Sequence, residues 1–163
     1  MAGFILAALN CRPQNNGETP GLEFVMQLDV NISEPYYVGE TPEGFRTVIP
    51  ITGGTFAGPR LKGEIIPGGA DYQLSVAHGS ITKLEAIYSI RTDDGVYIHV
   101  RNRGIITTIS DEEGKQQPYF KTSPLFEAPI DSDYTWLNQG VFVCQPTSTA
   151  EGADISLQVW LLK

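Results

Sequence analysis

The sequence predicts an all-β protein: a single antiparallel β-barrel with short loops and at most one short helix. Three observations predict it. Short runs in which apolar and polar residues alternate recur along the chain, and 17 glycines and 11 prolines punctuate them. Nowhere do apolar residues keep a spacing of three and four over a dozen positions, as an amphipathic helix requires. Many short strands at roughly even intervals make a sandwich or a barrel, and closing the sheet removes its aggregation-prone edges. The 163 residues, 41% hydrophobic and 18% charged, suit one globular domain with a sizeable core.

Residues 1–21 read as an N-terminal arm and residues 22–163 as the barrel domain. Phe4 to Leu9 is apolar but short, and no Lys or Arg precedes it, which is too little for a complete signal peptide or a membrane span. It reads as a strand or ordered arm, with the cytoplasm the favoured location. The remnant of a trimmed signal, and hence a secreted or periplasmic protein, is the alternative. Cys11 to Gly21 is a polar, turn-rich loop. In Leu22 to Ile32, Phe24, Met26, Leu28, Val30 and Ile32 share one parity while Gln27, Asp29 and Asn31 take the other, which is a half-buried strand. Arg46 to Ile51 is a second strand. Leu61 to Ile66 is a third, closed by Pro67-Gly68-Gly69. Asp71 to Val76, Leu84 to Thr92, Val96 to Arg103, Tyr119 to Phe126, Trp136 to Gln145 and Ile155 to Leu162 follow. A short helix fits only around Asp111 to Gln117. Asp94-Gly95, between two β-rich runs, marks a tight hairpin, because Gly accepts positive φ and Asp tolerates it.

Parity then assigns side chains to the lumen. Leu84, Ala86, Tyr88 and Ile90 share the inner face of one strand. Val96, Ile98, Val100 and Asn102 share that of the next, leaving Tyr97, His99, Arg101 and Arg103 opposite. Asn102 thus ends an apolar row, as a cap of the barrel rim or a ligand contact. Asp71 and Gln73 lie on one face of their strand. Asp71 is either half of a structural ion pair with Arg101 or Arg103 or, inside an apolar lumen, a carboxyl of raised pKa able to act as acid or base. Trp136 and Asn138 share a face, as a core edge or as the aromatic wall and amide of a small-ligand site.

Other chemistry finds little support. A net charge of -8 argues against nucleic acid and anionic membrane surfaces. Gly53-Gly54 and Gly58 are followed by no Gly-Lys-Ser/Thr, so they are no phosphate loop. His78 and His99 keep no ligand spacing to each other or to a cysteine, and no metal site is expected. His78 reads as a turn residue, and Asp93-Asp94 as a solvated turn rather than a glycosidase pair. Cys11 and Cys144 read as two free thiols, with a bridge from arm to body as the sharper alternative.

Several blocks together resemble a known family, the uncharacterised bacterial and fungal β-barrel proteins of the domain-of-unknown-function family 3237. They are Pro50 to Phe56 with Gly58 to Gly63, Pro67 to Gln73, Tyr88 with Thr92 to Gly95, Val100 to Gly104, Tyr119 to Thr122, and Trp136 to Asn138. The resemblance runs from about Leu22 to Lys163 and implies a compact β-barrel. It carries over no catalytic residues.

The functional expectation is a barrel whose lumen binds a small, mostly apolar, oxygenated molecule of polyketide-like or aromatic type. As an enzyme it would be a cofactor-independent isomerase, cyclase or lyase. Asp71 would be the acid or base, Tyr88, Asn102 and Arg101 the hydrogen-bond donors, and Gln73, Trp136, Asn138, Phe56 and Tyr119 the ligand contacts. The alternative is a carrier with the same barrel and no chemistry. A weaker third reading is an assembly module docking through its Arg-rich outer strand, and a homo-oligomer is left open.

Overall fold

The computed structural model describes residues 19–163. Phe4 to Leu9 and Cys11 lie outside the described residues. Nine strands form one antiparallel sheet: β1 (Leu22–Ile32), β2 (Tyr36–Thr41), β3 (Gly44–Ala57), β4 (Lys62–Val76), β5 (Ile81–Thr92), β6 (Tyr97–Ser110), β7 (Gln116–Glu127), β8 (Phe142–Pro146) and β9 (Ile155–Leu162). Neighbours in sequence pair along most of the sheet. β1 then pairs along one edge with β9, from Leu22 to Val30, and along the other with β3, from Gln27 to Ile32, which closes an eight-stranded ring. β2 stays outside the ring and covers the first part of β3, from Gly44 to Val48. An eight-stranded barrel has an interior just wide enough to be filled by side chains or to hold one small ligand.

The expected alternation decides which side chains enter. Met26, Leu28 and Val30 of β1 are buried, as are Leu84, Tyr88 and Ile90 of β5 and Ile98, Val100 and Asn102 of β6. The Asp94-Gly95 hairpin forms as expected. Gly95 takes φ +90°, its N–H donates to the Thr92 carbonyl over 2.8 Å, and β5 and β6 run in unbroken register away from it. His78 sits in a one-turn 3₁₀ segment, Ala77–Gly79, at φ +58°. Among the described residues no helix is long and apolar enough to cross a membrane.

Four local expectations are corrected. Leu61 to Ile66 and Asp71 to Val76 are one strand, β4, which passes through Pro67-Gly68-Gly69 by a bulge against β5 between Ile66 and Ala70. The bulge tolerates the missing proline N–H. Trp136 to Gln145 is not a strand throughout: Thr135–Gln139 forms a 3₁₀ turn, and β8 starts only at Phe142. Asp111 to Gln117 holds no helix, because the Asp111 carboxylate collects the N–H groups of Glu113 and Lys115 and closes a turn. Phe24 leaves the inner parity at a bulge in β1 and packs edge-on against Trp160, with ring centroids 5.2 Å apart.

Gly53-Gly54 has a structural reason unrelated to phosphate. β3 crosses β1 so closely there that a Cβ on Gly54 would lie 2.1 Å from the Asp29 carbonyl oxygen, and Gly54 adopts φ +132°. Only glycine suits that backbone and that approach.

Candidate functional site

The barrel is solid at one end and hollow at the other. Phe56, Ile65, Ile90, Ile98, Phe126, Leu137 and Phe142 pack the solid end. The 3₁₀ turn carrying Leu137 stoppers it. Asn138 fixes that stopper, since its amide donates to the Ala128 carbonyl over 2.8 Å and accepts from the Ala128 N–H over 2.7 Å. Trp136 lies under the Arg60 guanidinium, 3.8 Å from ring centroid to Cζ. Phe56, Trp136 and Asn138 therefore build the closed end and do not line the hollow one. The reason is the 3₁₀ turn, which takes Trp136 and Asn138 off the strand that their shared parity presupposed.

At the other end lies a cavity of about 150 Å³. Its walls are apolar: Val30, Ile51, Leu84, Ile106, Phe120 and Leu157 are among them. Ile32 and Ile106, each 37% exposed, mark its mouth. Its polar side chains are Asp71, Gln73, Tyr88, Asn102 and Thr122. Thus Asp71, Tyr88, Asn102 and Gln73 come together as expected.

Strand register explains how. Asp71 of β4 pairs with Ala86 of β5, Ala86 with Asn102 of β6, and Asn102 with Pro124 of β7. These four form one row across the wall, and directly paired residues point to the same face. Ala86 is small, so nothing bulky stands between the carboxyl and the amide. A neighbouring row runs from Leu84 through Gly104 and Thr122 to Cys144 of β8. Gly104 leaves a bare patch of wall there, since a Cβ would fall 2.4 Å from Thr122 Cγ2 and 2.3 Å from the Lys121 carbonyl oxygen.

Burial raises the Asp71 carboxyl above the ordinary carboxylate range, partly offset by a hydrogen bond from Gln73 Nε2 (2.8 Å) and one from the Glu85 backbone N–H (3.0 Å). Burial likewise pushes the Tyr88 phenol and the Cys144 thiol up, so both are neutral at physiological pH and Tyr88 keeps its O–H to donate. The Thr122 and Asn102 side chains stand beside the Cys144 thiol. Asn102 and Thr122 are 3% and 7% exposed, and among the described residues Asn102 Oδ1 and Thr122 Oγ1 have no hydrogen-bond partner.

Arg101 does not join this group. It lies on the outer face with Arg103, and both clasp the Glu85 carboxylate at 2.7 Å. Of the two readings of Asp71, the ion pair with these arginines is made instead by Glu85, because Asp71 sits on the opposite side of the wall. Tyr119 is also of outer parity, and its neighbour Phe120 lines the cavity instead. Sequence reading passed over Phe120 and Thr122, although the alternation of Phe120, Thr122, Pro124 and Phe126 marks an inner face as clearly as that of β5. Cys144 carried no signal, because its strand is short and pairs with β7 through the single register pair Thr122–Cys144. Among the described residues no group of three or more His, Cys, Asp or Glu could hold a metal ion.

Residues 20–162 match the family model described as "Protein of unknown function (DUF3237)". A UPF0311 protein of Rhodopseudomonas palustris is 35% identical over 147 residues, covering 83% of this chain and 93% of its own. A protein of Penicillium herquei named a hydroalkoxylation enzyme is 30% identical over 138 residues, covering 85% of this chain and 79% of its own. Among solved structures, a β-barrel-like protein of Acinetobacter baumannii superposes with a TM-score of 0.77 at 31% identity, over 92% of this chain and all of that one. An enzyme from Penicillium herquei superposes at 0.69 with 25% identity, over 95% of this chain and all of that one. By its sequence from residue 20 to 162 and by its closed barrel, this chain belongs to the DUF3237 family.

Proposed function

We propose that the cavity binds a small, mostly apolar, oxygenated molecule of polyketide-like or aromatic type. We propose further that it catalyses a cofactor-independent isomerisation, cyclisation or elimination there, with Asp71 as general acid. The observation that carries this reading is a half-buried carboxyl of raised pKa facing an apolar hollow. A carboxyl so placed holds a proton closer to neutral pH than a solvated one, which suits acid catalysis. The Tyr88 hydroxyl is a donor for charge that develops on a substrate oxygen.

The name of the fungal relative, a hydroalkoxylation enzyme, supplies a reaction type within this range. Hydroalkoxylation adds an O–H across a C=C bond. When both groups lie in one molecule the addition is a cyclisation, and its reverse is an elimination. The alkene π pair takes a proton from the Asp71 carboxyl and becomes a C–H bond. A hydroxyl lone pair forms the C–O bond, and the proton lost from that oxygen returns to the carboxylate. No electrons leave or enter the system. Gln73 and the Glu85 N–H steady the carboxylate formed midway.

Native mass spectrometry of freshly purified protein identifies a co-purified small molecule, which is then incubated with the protein in D2O. Acid catalysis at carbon installs one non-exchangeable deuterium, and Asp71→Asn abolishes the label while the molecule still binds. Recovery of the molecule unlabelled and unrearranged with wild-type protein overturns catalysis and leaves a carrier.

A further inference from the structure

We infer that the floor of the cavity is a hydroxyl-specific subsite, in which one alcohol or phenol group of the ligand donates to Asn102 Oδ1 and accepts from the Thr122 hydroxyl. This rests on the proposed reading of the cavity as a ligand site, and it names the chemical class the site selects.

Burying a polar atom without a partner forfeits its hydration with nothing in return, and native proteins rarely leave one so. Here two lie at one spot. Asn102 and Thr122 both line the cavity, and their buried oxygens, Oδ1 and Oγ1, have no partner among the described residues. Their strands are adjacent, and Gly104, which faces Thr122 across the ladder two residues along β6 from Asn102, bears no side chain to cover them. The Cys144 thiol stands beside both side chains, but sulfur is only a weak donor and acceptor and leaves the two oxygens' capacity unmet.

The residue types fix the polarity of what they bind. An amide oxygen only accepts. A threonine hydroxyl donates and accepts. A single ligand hydroxyl satisfies both atoms at once, donating to the amide oxygen and accepting from the threonine. An ether or ketone oxygen can take the Thr122 proton but leaves Asn102 Oδ1 unpaired. A carboxylate does the same and also meets the Asp71 carboxyl in a small apolar space. Sites that hold such unpaired groups discriminate strongly against analogues lacking the matching donor. The hydroxyl would anchor the ligand two strands away from Asp71, with Ala86 leaving the path between them clear.

The test uses the full chain and three probes that differ in one group: 4-fluorophenol, 4-fluoroanisole and 4-fluorobenzoate. Their binding is followed by fluorine NMR, with amide shifts of Phe120, Leu84 and Asn102 locating the site. The phenol binds at least about tenfold tighter than the ether and the benzoate, against the ether's greater apolarity. In Thr122→Val, and in Asn102→Leu where it folds, the preference shrinks to about threefold or less. Equal binding of phenol and ether at the cavity, or benzoate as tight as phenol, overturns the subsite while leaving the cavity a ligand site. A preference unchanged in Thr122→Val also overturns it. If no probe moves the cavity resonances, the subsite falls together with the reading of the cavity.

Discussion

Asp71 and Asn102 stand on the same row of the barrel wall, on β4 and β6, with only the methyl of Ala86 between them. Neighbouring strands lie about 4.8 Å apart, so roughly 10 Å of wall separates the two. One is a carboxyl that burial disposes to keep its proton. The other is an amide whose oxygen has no partner among the described residues. An otherwise greasy hollow thus offers an acid at one side and an acceptor at the other.

Asp71→Asn tests the electrostatics of that acid. A carboxyl raised in the folded state binds its proton more tightly there than in the unfolded chain. Wild-type stability from this group is therefore greatest below the unfolded value of about 4 and falls as pH rises through the raised folded value. The Asn variant lacks this loss. It gains relative to wild type between acid and neutral pH, and the difference shrinks as pH drops towards 3. Urea unfolding of both proteins across this range measures it. Under the proposed acid catalysis, kcat/KM falls as pH rises through the Asp71 value.

Asn138→Ala separates the stopper from the ligand site. It leaves both the N–H and the carbonyl of Ala128 without their partner. Stability drops by about 1–3 kcal/mol, while binding of phenolic probes at the opposite end keeps its affinity. Thermal unfolding and fluorine NMR on one variant check both parts.

Arg101→Ala and Glu85→Gln act only on the outer wall. These side chains are substantially exposed, so each substitution costs about 1 kcal/mol or less, and less again in high salt. Turnover is unchanged in both. A large loss of kcat in Arg101→Ala would return that residue to the site.

Gly69→Ala presses on Tyr88. A Cβ there would lie 2.5 Å from Tyr88 Cβ and 2.6 Å from the Ile87 carbonyl oxygen, so β4 and β5 must part. The variant loses about 1–3 kcal/mol of stability. The ring resonances of Tyr88 shift, and Gly21→Ala, where a Cβ would meet only Lys163 Cβ at 3.7 Å, serves as the control.

Local patterns were enough to establish the all-β character of the chain, the bounds of β1 and β9, the Asp94-Gly95 hairpin, and the inner faces of β5 and β6. Side chains on a strand take opposite sides by covalent geometry, so a two-residue period in sequence is also a period in space. That is why Tyr88 and Asn102 could be placed on the inner face from sequence, and Asp71 and Gln73 on one common face. Tertiary structure decided what depends on contacts distant in the chain. It determined which end of the barrel is filled, because Leu137 and Phe56 meet there from segments about 80 residues apart. It carried β4 through Pro67-Gly68-Gly69, because β3 and β5 on either side hold the bulge. It placed Arg101 outside with Glu85, and it set Thr122 beside Asn102 and Cys144, because ladder register, which no local pattern encodes, brings those strands together.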